Sequence, residues 1–142
     1  MALRDSRFRA GVRFGIGLVA LGLALVAPAS RLARSWAYRS AVAGDSMSPM
    51  LVPGDWLLVD PDAYDRRPAR PGDLVAVRDP REPDRWLVKR VATIDEAGRL
   101  ELRGDAPDRS TDSRTFGPVD ADTVVGRPWA RYWPPSRWGG IR

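Results

Sequence analysis

The sequence predicts a mainly β domain preceded by one apolar helix near the N-terminus. From about residue 41 onward, short runs of β-branched and aromatic residues alternate with Pro-Gly and Gly-Asp pairs, a pattern typical of all-β domains. Before that point lies one long stretch without charge. Because 142 residues leave room for one ordinary core, we expect an N-terminal segment at 1–40 and a single β domain at 41–142.

The N-terminal segment contains an uncharged run at residues 14–30, built almost entirely from Gly, Ala, Leu, Val and Ile. It is about 17 residues long, at the short edge of the roughly 20 needed to span a bilayer. We expect a single-pass transmembrane helix, with Trp36 and Tyr38 as interfacial residues just beyond it. A cleavable signal peptide is the alternative, since Ala27-Pro28-Ala29 resembles a small-x-small cleavage site.

Charge flanking the run indicates the orientation of the chain. Four arginines precede the run and three follow it before residue 41. This small excess predicts a cytoplasmic N-terminus and a β domain on the extracytoplasmic side of the cytoplasmic membrane. The net charge of +5 therefore reflects membrane flanks and a mixed surface, and we expect no nucleic-acid partner.

Within the β domain, five runs are predicted to be strands. Pro53-Gly54 and Pro71-Gly72 mark turns, and residues 95–98 join two runs as a tight hairpin. The polar stretch from Asp60 to Pro71 is predicted to be a surface loop. The predicted strands are Trp56 to Val59, Leu74 to Arg78, Trp86 to Ile94, Arg99 to Arg103 and Thr123 to Trp133.

The residue inventory excludes several reaction mechanisms. The chain has no Cys and no His, which rules out a Ser-His-Asp triad, a Cys-His dyad and an H-E-x-x-H zinc site. Of its 23 basic residues, 22 are arginine and only Lys89 is lysine. Lysine can lose its proton and arginine cannot, so this one lysine is a candidate for acid–base chemistry.

A turn around Ser46 is the first segment able to carry chemistry. It reads Gly44-Asp45-Ser46-Met47-Ser48-Pro49, followed by Pro53-Gly54-Asp55, and such a turn can expose a hydroxyl. We expect Gly44 to adopt a backbone shape closed to other residues, which would help N–H groups converge on an oxyanion. The alternative is an ordinary turn serine.

The strand with Lys89 is the second such segment. Alternation places Lys89 on the same face as Leu87 and Val91, with Arg90 on the opposite face. Burial among apolar side chains lowers the pKa of an amine, and a neutral amine can accept the proton of a serine hydroxyl. A solvated lysine at the strand edge is the alternative.

The third segment is the polar loop from Gly104 to Val119, dense in hydrogen-bonding side chains. It is either a solvated loop or a network, including an Asp112/Arg114 pair, that orients a buried amine. Together the three segments resemble the type I signal peptidase family: Ser-Met-x-Pro at 46–49, Lys-Arg at 89–90 and Gly-Asp-x(4)-Ser-x-Asp-Ser-Arg at 104–114. The likeness extends from Gly44 to about Pro134 and implies a folded β-ribbon catalytic domain, LexA-like in fold, at 41–142.

The resemblance assigns roles to individual residues. Ser46 is implied as the nucleophile, Lys89 as the general base and Ser110 as the hydroxyl that orients the amine. The backbone N–H of Ser46 is implied as one oxyanion donor; Gly44 stands where many members have Ser or Thr, so the second donor stays open. Matched positions expected to form the oxyanion site and site architecture are Gly44, Met47, Pro49, Arg90, Gly104, Asp105, Asp112, Ser113 and Arg114, with Asp112 and Arg114 ion-paired.

The implied function is that of a membrane-anchored bacterial serine endopeptidase that cleaves signal peptides or propeptides of exported precursors after small residues. The expected partners are a precursor bound as an extended strand in a hydrophobic groove and the lipid bilayer; no metal or cofactor is implied. One alternative is a maturation protease dedicated to one precursor, such as that of nickel superoxide dismutase. Another is a membrane-tethered β domain that binds peptides without cutting them. LexA-like self-cleaving regulators share the dyad, but the chain has no predicted DNA-binding helical domain.

Overall fold

The structure, a computed structural model, describes residues 28–141. By its internal contacts the chain divides into units at residues 1–33 and 34–142. Helix α1 is described over residues 28–37. No helix within residues 28–141 is long and apolar enough to cross a membrane. The predicted span at 14–30 and the charges before it fall almost wholly outside the described residues.

The second unit is mainly β, as predicted, and its strands pair antiparallel. Short 3-10 helices at Pro107–Arg109, Ala121–Thr123 and Pro135–Arg137 and the single-turn helix α2 at Ser113–Phe116 connect them. The strands are β1 (Arg39–Ala41), β2 (Trp56–Asp60), β3 (Leu74–Asp79), β4 (Glu82–Ile94), β5 (Leu100–Arg103), β6 (Val124–Trp133) and β7 (Gly139–Gly140).

All five predicted strands are confirmed, and the turns at Gly54 and Gly72 and the β4–β5 hairpin lie where expected. The structure adds β1 and β7, which are three and two residues long. Neither strand has an apolar alternation in its sequence, so the sequence did not predict them. Both lie at sheet edges and are strands through backbone pairing alone. Strand β4 begins at Glu82, four residues before the predicted start. The prediction missed these four residues because they are exposed and give no hydrophobic signal.

The strand order in the sheet is β1-β2-β6-β3-β4-β5, with β7 paired to β6. Strand β6 joins the β1-β2 part of the sheet to the β3-β4-β5 part. It pairs with β2 through Arg127 to Trp133 and with β3 at Val124 and Gly126. Gly126 is required there because a Cβ atom would lie 2.3 Å from the carbonyl oxygen of Asp60. In this order β1 is the edge strand that leads into the Ser46 turn.

The buried side chains of this unit form two hydrophobic cores, where the sequence predicts one, because the alternating side chains of β3 enter both. Val75 and Val77 enter the first core, whereas Leu74 enters the second. The first core consists of Ala69, Val75, Val77, Leu87, Val91, Leu100, Leu102 and Val119. The second consists of Met47, Leu51, Leu57, Leu74 and Ile141.

The stretch from Asp60 to Pro71 is less solvated than its composition predicts. It has no strand or helix beyond Asp60, as expected, but Ala69 is buried in the first core and Tyr64 packs against that core. The Tyr64 hydroxyl donates a 3.0 Å hydrogen bond to the carbonyl oxygen of Leu74. The expectation of a plain surface loop is therefore wrong for these two residues, which attach the loop to β3.

Candidate active site

Lys89 lies buried on β4, with only 3% of its surface exposed. The predicted alternation is confirmed, since Leu87 and Val91 on the same face belong to the first core and Val75 is the cross-strand neighbour of Lys89. Burial lowers the pKa of Lys89 to about 8. The carboxylates of Asp112 and Asp79 oppose this shift, and the guanidinium groups of Arg81 and Arg85 add to it.

A chain of hydrogen bonds extends from the lysine amine into the loop after β5. Lys89 Nζ donates to Ser110 Oγ at 3.2 Å, and Ser110 Oγ donates to Asp112 Oδ2 at 2.8 Å. Because the single hydroxyl proton of Ser110 is directed at Asp112, Ser110 accepts from the lysine through a lone pair. A neutral Lys89 amine that donates one N–H to Ser110 keeps its own lone pair available for another proton.

Asp112 is fully buried and forms the fixed end of this series of hydrogen bonds. It caps α2 through the Arg114 amide, accepts two hydrogen bonds of 2.9 Å from the Arg114 guanidinium and a third from the Gly104 amide. Burial alone would raise the pKa of Asp112, but Arg114, the Gly104 amide and Ser110 together hold that pKa far below its usual value. The predicted Asp112/Arg114 ion pair is thus present, and Ser113 Oγ fixes the same loop to β5 by accepting from the Leu102 amide.

Ser46 lies half-buried in the predicted turn after β1. The Ser48 amide donates to the Asp45 carbonyl at 2.9 Å and closes the turn, while the side chain of Met47 is buried in the second core. The carbonyl oxygen of Ser46 accepts a 3.0 Å hydrogen bond from the Ala106 amide. The turn and the hydrogen bond to Ala106 therefore both fix the backbone of Ser46. Pro49, at the end of the turn, is exposed.

Gly104 allows the loop after β5 to approach this turn closely. A Cβ atom at Gly104 would lie 2.3 Å from Ser110 Oγ and 2.5 Å from the Ser46 carbonyl oxygen. Gly44, in contrast, has no positive φ, and a Cβ atom built there meets nothing within 4 Å. The expectation that Gly44 adopts a conformation closed to other residues is wrong; the steric requirement for glycine lies at Gly104.

Arg90 points away from Lys89, as predicted, and joins three segments. Its guanidinium donates two hydrogen bonds to Asp105, at 2.9 and 2.8 Å, and one to the Gly72 carbonyl at 2.9 Å. It also contacts Met50 Sδ at 3.7 Å. Arg90 and Asp105 therefore connect β4 to the loop after β5 and to the end of the Ser46 turn.

Sequence reasoning missed a buried ion cluster under that turn. Asp55 is fully buried, and Arg131 and Arg137 both donate to it, at distances of 3.0 to 3.2 Å. The same two arginines donate to the Met50 carbonyl. The sequence holds two signals of this cluster: Pro53-Gly54-Asp55 supplies Asp55, and Arg131-Tyr132-Trp133-Pro134 supplies Arg131.

Ser46 and Lys89 line the same cleft, which has a volume of about 430 Å³. One wall is the edge strand β1 and the turn after it, residues 40–47; the other is β4 from Trp86 to Lys89. Tyr38 stacks on Trp86 with ring centroids 6.0 Å apart, which connects the two walls. Lining residues outside the three segments singled out in the sequence are Ser40, Ala41, Val42, Ala43, Leu51, Arg81 and Arg85.

A buried lysine and a turn serine thus line one cleft beside an edge strand. The chain matches the family described as signal peptidase, peptidase S26, over residues 15–95 and 96–133. It belongs to that family. The membership confirms the resemblance to type I signal peptidases and the broad class of protease.

Curated relatives agree with the family. The chain is 32% identical over 123 residues to mitochondrial ATP-independent inner membrane protease subunit 1a of Arabidopsis thaliana, covering 71% of this chain and 73% of that protein. It is 33% identical over 126 residues to mitochondrial inner membrane protease subunit 2 of Danio rerio, covering 74% and 69%. The subunit 2 protein of Saccharomyces cerevisiae is 32% identical over 127 residues, covering 69% of each chain.

Proposed function

We propose that this protein is a membrane-anchored serine endopeptidase in which Ser46 is the nucleophile, Lys89 the general base and Ser110 the residue that positions the lysine amine. The single observation that carries the proposal is the environment of Lys89. Lys89 is almost fully buried, its amine donates to Ser110, and the residue lines the cleft that Ser46 also lines. A lysine in that environment holds less of its positive charge at neutral pH than a solvated lysine.

Acylation follows from this arrangement. The neutral amine of Lys89 takes the proton of the Ser46 hydroxyl as Oγ attacks the carbonyl carbon of the scissile peptide. The Ser46 amide stabilises the resulting oxyanion, and collapse of the intermediate breaks the C–N bond. Protonated Lys89 returns its proton to the leaving amine, and a water activated by the same lysine then hydrolyses the acyl ester.

The edge strand supports binding of an extended substrate. Strand β1 pairs with β2 on one side, and the segment from Ser40 to Ser46 lines the cleft. A peptide that lies along this segment can add a strand to the sheet edge and bring its carbonyl past Ser46. Small residues before the scissile bond fit the resemblance to the signal peptidases.

Attachment to a membrane is part of the proposal. The uncharged run at residues 14–30 precedes the β domain, and relatives of the chain are named as inner membrane proteases. Processing of exported precursors on the extracytoplasmic side follows from this anchor and from the flanking arginines. The substrate is then a signal peptide or propeptide.

The test is cleavage of a signal-peptide-bearing precursor by the purified full chain in detergent. We expect the Ser46→Ala variant to be folded and inactive, because the hydroxyl is needed for acylation and contributes little to either core. Mass spectrometry of the product is expected to locate the new terminus directly after a small residue. Turnover by Ser46→Ala at the wild-type rate would contradict the assignment, and peptide binding without cleavage by the wild type would favour a non-catalytic peptide-binding domain.

A further inference from the structure

The cleft contains more charge than the dyad requires. Besides Lys89, its charged lining residues in the described part of the chain are Asp45, Arg81, Arg85 and Arg109. Three of these four are cationic, so a peptide in the cleft passes several guanidinium groups. What each arginine can do for a substrate depends on how fully its charge is already compensated.

Arg81 and Arg109 already have carboxylate partners. Arg81 donates from Nε and Nη2 to the buried carboxylate of Asp79, at 2.9 and 2.8 Å. Arg109 lies 4.0 Å from Asp45, which lines the cleft itself. A substrate carboxylate at either arginine would therefore meet an existing negative charge close by.

Arg85 is paired only weakly, and its partner lies outside the cleft lining. Its ion-pair partner is Glu82 at 4.0 Å, and the two side chains are 57% and 67% exposed. Exposed pairs at this distance contribute little to stability. Glu82 is not among the residues that line the cleft, whereas Arg85 is.

Arg85 also lies at a fixed spacing from Lys89. Both are on β4, which extends from Glu82 to Ile94 and pairs regularly with β3 from Trp86 to Arg90. Four residues of extended strand span about 13 Å, and four residues of an extended substrate span about the same distance. A substrate whose scissile carbonyl lies near Lys89 thus presents its fourth residue away from the cut bond to Arg85.

From these relationships we infer that Arg85 is a specificity residue that selects substrates carrying an acidic side chain about four residues from the scissile bond. The inference rests on the proposed peptidase function and adds a charge requirement to the same cleft. The ion pair forms between the substrate carboxylate and the Arg85 guanidinium, and it acts on binding and not on proton transfer.

The experiment compares two peptides that differ only in Glu or Gln at the fourth residue before the scissile bond, and a second pair that differs at the fourth residue after it. All carry Ala at the first and third positions before the bond, and kcat/KM is measured at one pH. At one of the two positions we expect the Glu peptide to be preferred about two- to fivefold, the size of a partly exposed ion pair. The preference is expected to fall as salt screens the pair.

Variants of Arg85 test whether that preference belongs to this residue. Arg85→Gln is expected to bring the Glu/Gln ratio to about one, and Arg85→Lys to retain part of it. Because the ratio compares two substrates on one enzyme, changes in folded fraction or in Lys89 ionisation cancel. The matched control is Arg99→Gln, since Arg99 pairs with Asp95 in the β4–β5 hairpin away from the cleft, and it is expected to keep the wild-type ratio.

Equal kcat/KM for Glu and Gln at both positions, with cleavage that depends on Ser46, would overturn the specificity role and leave the proposed function intact. Equal rates together with Arg85-dependent binding to vesicles containing anionic phospholipid would also overturn it, and would assign Arg85 to a lipid phosphate. Cleavage that persists in Ser46→Ala, or is absent from every peptide, would contradict the proposed function itself and the specificity role with it.

Discussion

The Ala106 amide donates a 3.0 Å hydrogen bond to the carbonyl oxygen of Ser46. This bond joins the turn that carries the proposed nucleophile to the loop that carries Ser110 and Asp112. The position of the Ser46 hydroxyl relative to Lys89 therefore depends on how closely the two segments approach. Gly104 controls that approach, because its missing side chain leaves room for both Ser46 and Ser110.

Gly104→Ala is expected to abolish most activity and to lower the free energy of unfolding by about 1–3 kcal/mol, the usual cost of overpacking. The added Cβ would lie 2.5 Å from the Ser46 carbonyl oxygen, so backbone must move. Precursor cleavage and urea unfolding measure the two effects. Gly140→Ala is the matched control, since a Cβ there meets only the Trp129 carbonyl oxygen at 3.9 Å; equal behaviour of the two variants would refute the packing argument.

Asp55→Ala is expected to destabilise the domain by about 1–3 kcal/mol at neutral pH, because it leaves the half-buried guanidinium groups of Arg131 and Arg137 without their carboxylate. Burial alone would raise the pKa of Asp55, but the Val52 amide, Arg137 and Arg131 hold it below its ordinary value of 3.8. Because the pKa of Asp55 is lower in the folded state than in the unfolded state, its carboxylate stabilises the fold at pH values above the unfolded-state pKa. This stabilisation is lost as the pH falls through the folded-state pKa. The difference from wild type should therefore shrink in acid, whereas Glu96→Ala, at an exposed position, should change little at any pH.

Ser110→Ala is expected to lower kcat about 10- to 100-fold, less than the roughly 10²–10⁴-fold contribution of a general base itself, with little change in KM. Its hydroxyl holds the Lys89 amine and lies outside the residues that line the cleft, so substrate binding should persist. Steady-state kinetics on one peptide separates the two parameters. Ser110→Thr, which keeps the hydroxyl, should recover part of kcat; a pure KM effect would argue against a positioning role.

The pH dependence of kcat/KM should show one ionisation that belongs to Lys89. Only the neutral amine acts as base, so activity should rise with pH through a pKa of about 8, to which burial lowers this lysine. No histidine is present to titrate in its place. With chemistry shown to be rate-limiting, a profile that stays flat from pH 6 to 10 would contradict the assignment.

The sequence was sufficient to predict the strands with a hydrophobic alternation and the burial of Lys89 between Leu87 and Val91. It was not sufficient for β1 and β7, which exist because their backbones pair with β2 and β6. The same limit applies to glycines. The sequence predicted a special backbone conformation at Gly44 because it lies two residues before Ser46, yet the glycine that a close approach requires is Gly104. That contact depends on two segments about 60 residues apart in the chain, and local pattern holds no information about their distance.

The charged residues divide in a similar way. Asp112 and Arg114 are neighbours in sequence, so their pairing could be anticipated from spacing. Asp55 meets Arg131 and Arg137 only after β2 and β6 have paired, and Arg85 reaches the cleft only because β4 extends beyond its apolar part. Long-range contacts of this kind follow from the sheet order.

The most direct test of the dyad is the activity of Lys89→Arg, because arginine occupies the other 22 basic positions of this chain. Arginine keeps the charge and the hydrogen-bond donors, but its guanidinium stays protonated at every pH of interest and offers no lone pair for the Ser46 proton. Circular dichroism must first establish that the variant is folded, since a fixed buried charge costs stability. We predict that folded Lys89→Arg cleaves a precursor at no more than about 1% of the wild-type rate, in line with loss of a general base; cleavage well above that level would mean that Lys89 is not the base.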